Sequence, residues 1–382
     1  MRKIFLIIDH KAHIRNHKSV LSRHQGYAAE IFSKSNDSAS LALLSLGLNG
    51  RVEGEKKNHI WLFYFPFRAK EIYANYTKIK SKFLELGSVK LLISGDPWFG
   101  GLIVLVLKKM FFKDAVIEIQ VHADIGDGAW RRISLINHLK YSIARLTLLR
   151  ADQVRCVSTM QASKIFSRLP SIESKTVVIP IASSLESEGV NLNLEVDRPL
   201  SIGFVGRIHA DRGINKFIEV VEAINSERQD FTVVIAGSGP NSEEFLTALR
   251  TIVGIHRISN YHEVDPRQMR QIWTQIGVLL SCPQAESFGR TLREAISFGV
   301  PIWISPTSGG LEFAETLKNE YFELLDPKIS VEKVVQQFLS LSKIKIDNES
   351  AKKVIEENEL FTGQLVQSWL KLAEVESSEG TR

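Results

Sequence analysis

Cysteine is scarce: Cys156 and Cys282 are the only two among 382 residues. Two thiols cannot make an all-cysteine zinc site, which needs four, and they cannot staple a disulfide scaffold. A reduced, cytoplasmic setting is the plainest expectation. Long apolar runs are missing as well. The most tempting one, Gly101 to Phe112, is interrupted by Lys108 and Lys109 and falls far short of the ~20 residues that a spanning helix needs. The opening Met-Arg-Lys-Ile-Phe-Leu-Ile-Ile-Asp has a basic start and an apolar stretch. That stretch stops at Asp9 with no small-residue cleavage site, so it reads as a first buried strand rather than a signal peptide. Neither is there an Asp-x-Asp pair to bring a metal ion to a phosphate group.

What is present is the composition of a folded protein, 44% hydrophobic and 24% charged. The length suggests two domains rather than one core. The formal net charge of +5 conceals an uneven distribution. Residues 1–150 hold 24 Lys/Arg against 12 Asp/Glu, and the rest of the chain holds 24 against 31. A basic first part suits a protein that meets an anionic surface.

Short apolar runs rich in β-formers alternate with helical patterns. The runs are Ile4–Ile8, Ile60–Phe65, Leu91–Ser94, Val116–His122, Val154–Val157 and Val177–Ile179. The segment Ser183–Pro199, rich in Ser, Glu and Asn, breaks the series. A second series follows at Ile202–Val205, Phe231–Ala236, Arg257–Tyr261, Val278–Cys282 and Ile302–Ser305. The chain closes with helical stretches around Val331–Leu341 and Gly363–Val375 and a polar tail, Ser377–Arg382. This alternation predicts an α/β protein of two Rossmann-like, doubly wound domains facing each other across a cleft. The expected divisions are 1–185, 200–350, and a helical segment 351–382 that returns to the first domain. In such sheets ligands sit beyond the carboxyl ends of the strands, so candidate residues are sought there.

Three strand ends in the second half carry charge or glycine. Ser201–Val205 runs into Gly206-Arg207, with Asp211-Arg212-Gly213 shortly after. Two guanidinium forks beside a helix start suit phosphate oxygens; two surface arginines in a loop would look the same. Phe231–Ala236 ends in Gly237-Ser238-Gly239-Pro240, where glycine permits close backbone approach to a ligand. It is not a dinucleotide fingerprint, because Ser242 stands where the third glycine would be. The third end is Cys282-Pro283-Gln284-Ala285-Glu286-Ser287-Phe288-Gly289-Arg290, followed by Glu294 four residues beyond Arg290. A helix starting near Gly289 turns the amides of Phe288, Gly289 and Arg290 outward. A carboxylate at Glu294, one turn in, suits two hydroxyls of a ribose; helix-terminal charges that satisfy the macrodipole are the plainer alternative. A second loop, Thr307 to Glu312, is expected to add further amides.

Taken together, in order and between Gly206 and Glu312, these motifs resemble the glycosyltransferase family 4 enzymes of the GT-B fold. That pattern has a Gly-Arg after the first strand of the second domain and a basic-Gly pair soon after. It continues with Gly-x-Gly-Pro, two glutamates seven apart around Phe-Gly, then Glu-Ala, Gly-x-Pro and Gly-Gly-x-Glu. Ala151-Asp152 and Val157-Ser158 extend the match upstream. The family's second basic residue is usually Lys; here it is Arg212.

The resemblance implies transfer of a sugar from a nucleotide-diphosphate donor, a UDP- or GDP-sugar, with retention of anomeric configuration. Arg207 and Arg212 would bind the diphosphate, Glu294 the ribose, and Glu286 with the amides of Ser287, Phe288 and Gly289 the donor sugar. Gly206, Gly237, Gly239 and Arg290 complete the implied donor set. Charge on the departing diphosphate would be met by arginines and a helix N-terminus, with no metal and no cofactor. No protein nucleophile is assigned.

In the first half, His122 at the end of Val116–Val121 resembles the family's active-site histidine. Asp96, after Leu91–Ser94, would touch an acceptor or cap the next helix. Many family members carry Gly-Gly after the first strand; this chain has Asp9-His10-Lys11-Ala12-His13-Ile14-Arg15-Asn16-His17, read as a solvated basic loop rather than a metal site. Arg131, His138 and Arg145 are seven apart on a predicted helix Trp130–Arg150 and so share a face, with Arg132 and Arg150 nearby. Lys108, Lys109 and Lys113 flank Met110-Phe111-Phe112. Basic groups beside apolar ones suit an anionic membrane surface. Nucleic acid is not expected, since no interleaved aromatic and basic motif is present. The expected function is a glycosyltransferase acting on a glycan or lipid-linked glycan acceptor in surface polysaccharide synthesis. Its expected location is the cytoplasm, with peripheral attachment to the membrane left open. A sugar-nucleotide epimerase of the same fold and a non-catalytic binding subunit are the alternatives.

Overall fold

The computed structural model describes residues 2–9, 18–47, 52–57, 60–66, 68–183, 199–262, 264, 266–317, 322–324, 335–336, 338 and 348–374. His10, His13 and His17, most of the Val331–Leu341 stretch and the tail Ser377–Arg382 lie outside the described residues. The chain divides into two units, Met1–Ala182 with Glu359–Arg382, and Ser183–Asn358.

Among the described residues the first unit holds eight strands: β1 Lys3–Asp9, β2 Ala39–Leu46, β3 Glu53–Lys57, β4 Ile60–Phe65, β5 Ser88–Ser94, β6 Val116–Val121, β7 Gln153–Cys156 and β8 Thr176–Val178. They form one sheet in the order β3-β4-β2-β1-β5-β6-β7-β8. All its pairings are parallel except β3 with β4. Alternate residues of β1 feed opposite cores, Ile4, Leu6 and Ile8 on one face and Phe5 and Ile7 on the other. Both faces are therefore covered, as a parallel sheet requires. Helices α1 Lys18–Lys34, α2 Ala69–Ala74, α3 Tyr76–Leu86, α4 Phe99–Met110, α5 Gly128–Arg132, α6 Leu135–Arg150 and α7 Thr159–Phe166 supply the covering.

Strands β2 and β3 are absent from the sequence-based series. The run Ala-Ser-Leu-Ala-Leu-Leu-Ser-Leu is built of helix formers, yet it sits between β1 and β4 with every residue buried. Tertiary pairing overrides propensity there. Glu-Gly-Glu-Lys-Lys in β3 is too charged to signal a strand, and that charge suits the sheet edge it occupies.

The predicted helix Trp130–Arg150 is two helices. Ser134, in extended conformation, accepts from Asn137 N and caps α6, so α5 ends at Arg132. Arg131 therefore does not share a helix face with His138 and Arg145. Its guanidinium lies over the Tyr141 ring at 4.9 Å.

The second unit contains β9 Ser201–Val205, β10 Thr232–Ala236, β11 Ile258–Tyr261, β12 Val278–Ser281, β13 Ile302–Ile304 and β14 Phe322–Leu324. Their order is β11-β10-β9-β12-β13-β14, all parallel. The strand order reverses between β9 and β12, and that reversal opens a crevice at their carboxyl ends. Helices α8 Ile214–Glu227, α9 Ser242–Val253, α10 Pro266–Trp273, α11 Arg290–Ser297 and α12 Ser308–Leu317 connect the strands. Helix α13, Asn348–Leu372, ends the described chain. From Glu359 it counts with the first unit, where Leu365, Val366, Trp369 and Leu370 share a buried cluster with Phe5 and Ile7. Among the described residues, no helix is long and apolar enough to cross a membrane.

Candidate active site

The β9 loop is shaped by its neighbours. Gly206 N donates to Ala236 O and Ile208 N to Ser238 O, each at 2.9 Å, so the loops after β9 and β10 run together. A Cβ at Gly237 would stand 1.9 Å from Gly206 O, which explains a glycine there. Gly213 has φ +73 and ends the loop against β12; a Cβ on it would stand 1.9 Å from Cys282 O. Gln284 N donates to Asp211 O at 3.1 Å. The loops after β9 and β12 are thus in backbone contact at the point of strand reversal.

That contact brings Arg212 to Glu286. Arg212 Nη1 donates to Glu286 Oε2 at 2.8 Å. Both side chains are partly exposed, and charge-assisted bonding of this kind is directional. Arg207 donates to Asp211 Oδ2 at 3.1 Å, and His209 Nδ1 lies 2.7 Å from Asp211 Oδ1. Asp211 thereby holds Arg207 and His209 on the same loop as Arg212.

Glu286 does more than pair. Its Oε1 accepts from Gly289 N at 3.2 Å and from Phe288 N at 3.4 Å. The sequence reading has these amides turned outward to a ligand, whereas here the Glu286 carboxylate accepts them. Gly309 N donates to Glu286 O at 2.8 Å. Thr307 to Glu312 is not the loop expected from sequence: α12 begins at Ser308, so the two glycines lie in its first turn. A Cβ at Gly309 would stand 2.5 Å from Phe288 N, so glycine lets this helix close on the Glu286 loop.

Helix α11 starts after Gly289, in left-handed conformation, as expected near that residue. Glu294 Oε1 lies 3.9 Å from Arg290 Nη2. Burial pushes the Glu294 carboxyl above its ordinary range, and Arg290 opposes that. Arg293, missed by the sequence reading, is buried. It donates to Phe288 O and stacks at 3.7 Å from the Phe288 ring and 4.6 Å from the Phe313 ring. Burial lowers its pKa to about 10 against the pull of Glu312, Glu357 and Glu286. An Arg inside an otherwise apolar helical stripe (Leu292, Ala295, Ile296) was the available signal.

In the first unit, a cavity of about 260 Å³ opens at the carboxyl ends of β1, β5 and β6. Asp96 and His122 both line it. The Asp96 carboxylate accepts from Trp98 N at 3.0 Å and from Gly100 N at 3.2 Å, so it caps the start of α4. His122 Nε2 lies 3.1 Å from Gln120 Oε1, and Gln120 Nε2 donates to Glu118 Oε1 at 2.8 Å. Trp369 Nε1 and Gln153 Nε2 donate to Glu118 at 2.8 and 2.7 Å. Glu118 and Gln120 alternate along β6 and His122 follows just beyond its end, forming a polar ladder on an apolar strand. Gln120 is in register with Arg155 of β7, a buried guanidinium that donates to Ile179 O and Pro180 O. His24 closes the cavity wall; burial, with Arg23 adding to it, lowers its pKa to about 3. The sequence reading missed Glu118, Gln120, Arg155 and His24, although the period-two polar stripe was visible.

Residues 191–360 match the family of glycosyl transferases group 1. The second unit is a group 1 glycosyl transferase domain. One curated relative is the UDP-N-acetylglucosamine–peptide N-acetylglucosaminyltransferase GtfA subunit of Streptococcus pneumoniae, 28% identical over 41% of this chain and 30% of its own. Another is the phosphatidylinositol N-acetylglucosaminyltransferase gpi3 subunit of Schizosaccharomyces pombe, 25% identical over 50% of this chain and 45% of its own. The chain spans less than half the length of these relatives. Among solved structures, pneumococcal GtfA in complex with UDP and GlcNAc aligns with TM-score 0.64 and 14% identity over 98% of this chain and 99% of its own. The lipopolysaccharide outer core galactosyltransferase WaaB aligns with TM-score 0.64 and 18% identity over 97% and 99%. Likeness at these identities is one of fold, and the fold is GT-B.

Proposed function

We propose that the chain transfers a sugar from a nucleoside-diphosphate donor to an acceptor hydroxyl with retention of configuration. The observation that carries this is the Arg212–Glu286 contact at the strand reversal, with Glu294 one helical turn beyond Arg290. Arg207 and Arg212 bind the diphosphate, and Glu294 takes the ribose. Glu286, Ser287, Phe288 and Gly289 hold the donor sugar. Gly206 leaves room for close approach, Gly237 and Gly239 let the β9 and β10 loops pack beneath the donor, and Arg290 adds charge at the α11 terminus.

In the reaction the anomeric C–O bond to the diphosphate breaks and a C–O bond to the acceptor oxygen forms on the same face. The acceptor proton passes to a diphosphate oxygen. Charge growing on that leaving group is met by guanidinium groups already in place, which need not reorganise. His122 has a catalytic part, and the cavity it shares with Asp96 receives the acceptor. We propose a UDP-linked donor, and N-acetylglucosamine is the first sugar to try, because the names of both curated relatives carry it. We further propose that the acceptor is a glycan or lipid-linked glycan of a surface polysaccharide. The basic first part then works at an anionic membrane surface. Exposed Leu135, Ile136, Leu139 and Leu149 on α6, interspersed with Arg145 and Arg150, support that placement.

Nucleotide-sugars screened by thermal shift test the donor, since a bound ligand raises Tm by mass action. Arg212→Ala should lower transfer by about 100-fold or more, while stability changes by less than about 1 kcal/mol, because the pair is partly exposed. Equal rates for the variant and wild type would overturn the assignment. NMR of the product reads the anomeric configuration, and inversion would refute retention.

A further inference from the structure

The first unit carries an apolar groove of about 270 Å³ that the reading above does not use. Its floor is the carboxyl end of the sheet, Leu44 and Leu46 of β2 and Phe65 of β4, and its walls come from α2, α3 and α4. Helix α4 presents Phe99, Leu102, Ile103, Val106 and Met110 to it, a stripe at helical spacing. Gly100, Gly101 and Val104 on the opposite side are buried, and so is Leu107 at the base of the groove. Walls of this kind normally bury themselves, yet Val106 is 52% exposed, Met110 53% and Tyr76 43%. The groove is a formed concavity, and scattered surface apolar residues would not make one.

Its surroundings are cationic. Residues 68–86, which span α2 and α3, hold five basic side chains, Arg68, Lys70, Lys78, Lys80 and Lys82, against two acids, Glu71 and Glu85, the second paired with Lys82 at 2.8 Å. Lys108 and Lys109 end α4, and Lys113 follows. Lys70, Lys78, Lys80, Lys109 and Lys113 are exposed. An apolar slot with ammonium groups around it matches a hydrocarbon chain bearing an anionic head. Phosphate suits lysine as a point charge, and tyrosine at the rim suits the boundary between the two. A neutral chain would leave the lysines without a purpose, and a soluble anion would leave the slot empty. Location adds a second constraint. The groove and the cavity of Asp96 and His122 open at the same end of one sheet, and α4, whose start is capped by the Asp96 carboxylate, then lines the groove.

We infer that this groove holds one hydrocarbon chain of a phosphate-bearing lipid, which is the acceptor. That it is the acceptor rests on the glycosyl-transfer reading; chain binding itself does not. The test uses the full chain and dodecyl phosphate below its micellar concentration, with calorimetry as the readout. Wild type should bind dodecyl phosphate, and inorganic phosphate should not compete. Dodecyl maltoside should bind more weakly. Val106→Glu and, separately, Ile72→Glu should weaken binding by about tenfold or more, because a carboxylate meets both the apolar slot and the anionic head. Both positions are exposed, and circular dichroism with a thermal transition unchanged from wild type shows that either variant is folded. Equal affinity in wild type and both variants overturns the groove. Equal affinity for inorganic phosphate or for dodecyl maltoside overturns the lipid phosphate as occupant. Dodecyl phosphate binding with no transfer from any nucleotide-sugar would instead sink the transfer reading and leave the groove standing.

Discussion

Gly213→Ala tests the physical link between the two loops of the proposed donor site. Gly213 and Gly254 have nearly the same φ, +73 and +78. Alanine at Gly213, with ψ +29, enters the left-handed helical region at a cost of about 1–2 kcal/mol; at Gly254, with ψ 150, it enters a region almost reserved for glycine at a cost of about 1–3 kcal/mol. They differ in what a Cβ would meet. At Gly213 it falls 1.9 Å from the Cys282 carbonyl oxygen and 2.5 Å from its carbon; at Gly254 nothing lies within 4 Å. Backbone cannot swing aside as a long side chain can, so Gly213→Ala adds an overpacking cost of about 1–3 kcal/mol. The gain from a stiffer unfolded chain offsets part of this cost. Gly213→Ala should therefore melt roughly 4–16 °C below wild type for a domain of this size. The clash pushes the β9 and β12 loops apart, which should loosen Arg212 from Glu286 and weaken UDP binding in Gly213→Ala alone. Thermal unfolding with and without UDP reads both effects. If Gly213→Ala melts with wild type and binds UDP alike, the loops do not meet as described.

Acid should expose His24. Its pKa is lowered to about 3, and the unfolded chain takes up that proton below about 6.5. The stabilising contribution is complete above pH 6.5 and is lost at about 1.4 kcal/mol per unit as pH falls toward 3. Between pH 7 and 4.5, wild type should lose roughly 3 kcal/mol more than His24→Leu in urea titrations; parallel losses would refute this. Burial raises Cys156 to about 12 and Cys282 to about 11. Neither thiol should react with a disulfide reagent at pH 8 until urea unfolds the protein. Fast labelling of the native chain would contradict that burial.

The motifs from which a donor site is proposed were legible because each sits where a strand stops. Glycines such as Gly213 and Gly237 are demanded by backbone contacts that no other residue permits, so they stand out in the one-dimensional text. The use of Glu286 was not legible. Its spacing to Glu294 suggested a ligand, but that it accepts the amides of Phe288 and Gly289 depends on loop geometry. Asp96 shows the same ambiguity: the capping alternative describes its hydrogen bonds. Strand β2 was hidden because alanine and leucine favour helices until neighbouring strands enclose them. The break at Ser134 escaped notice because helical spacing carried through a single capping residue. The apolar groove was illegible for a different reason: it joins residues of β2, β4, α2, α3 and α4, and only the fold brings them together.

The central claim is that the second unit binds a nucleoside diphosphate through the Glu286–Glu294 segment. Calorimetry of UDP and GDP with wild type and Glu294→Ala tests it most directly. The account predicts measurable binding by wild type and a loss of about tenfold or more in the variant, as expected when a buried carboxylate no longer meets the ribose hydroxyls. Equal affinity in the two proteins, or no binding to either nucleotide, would contradict it.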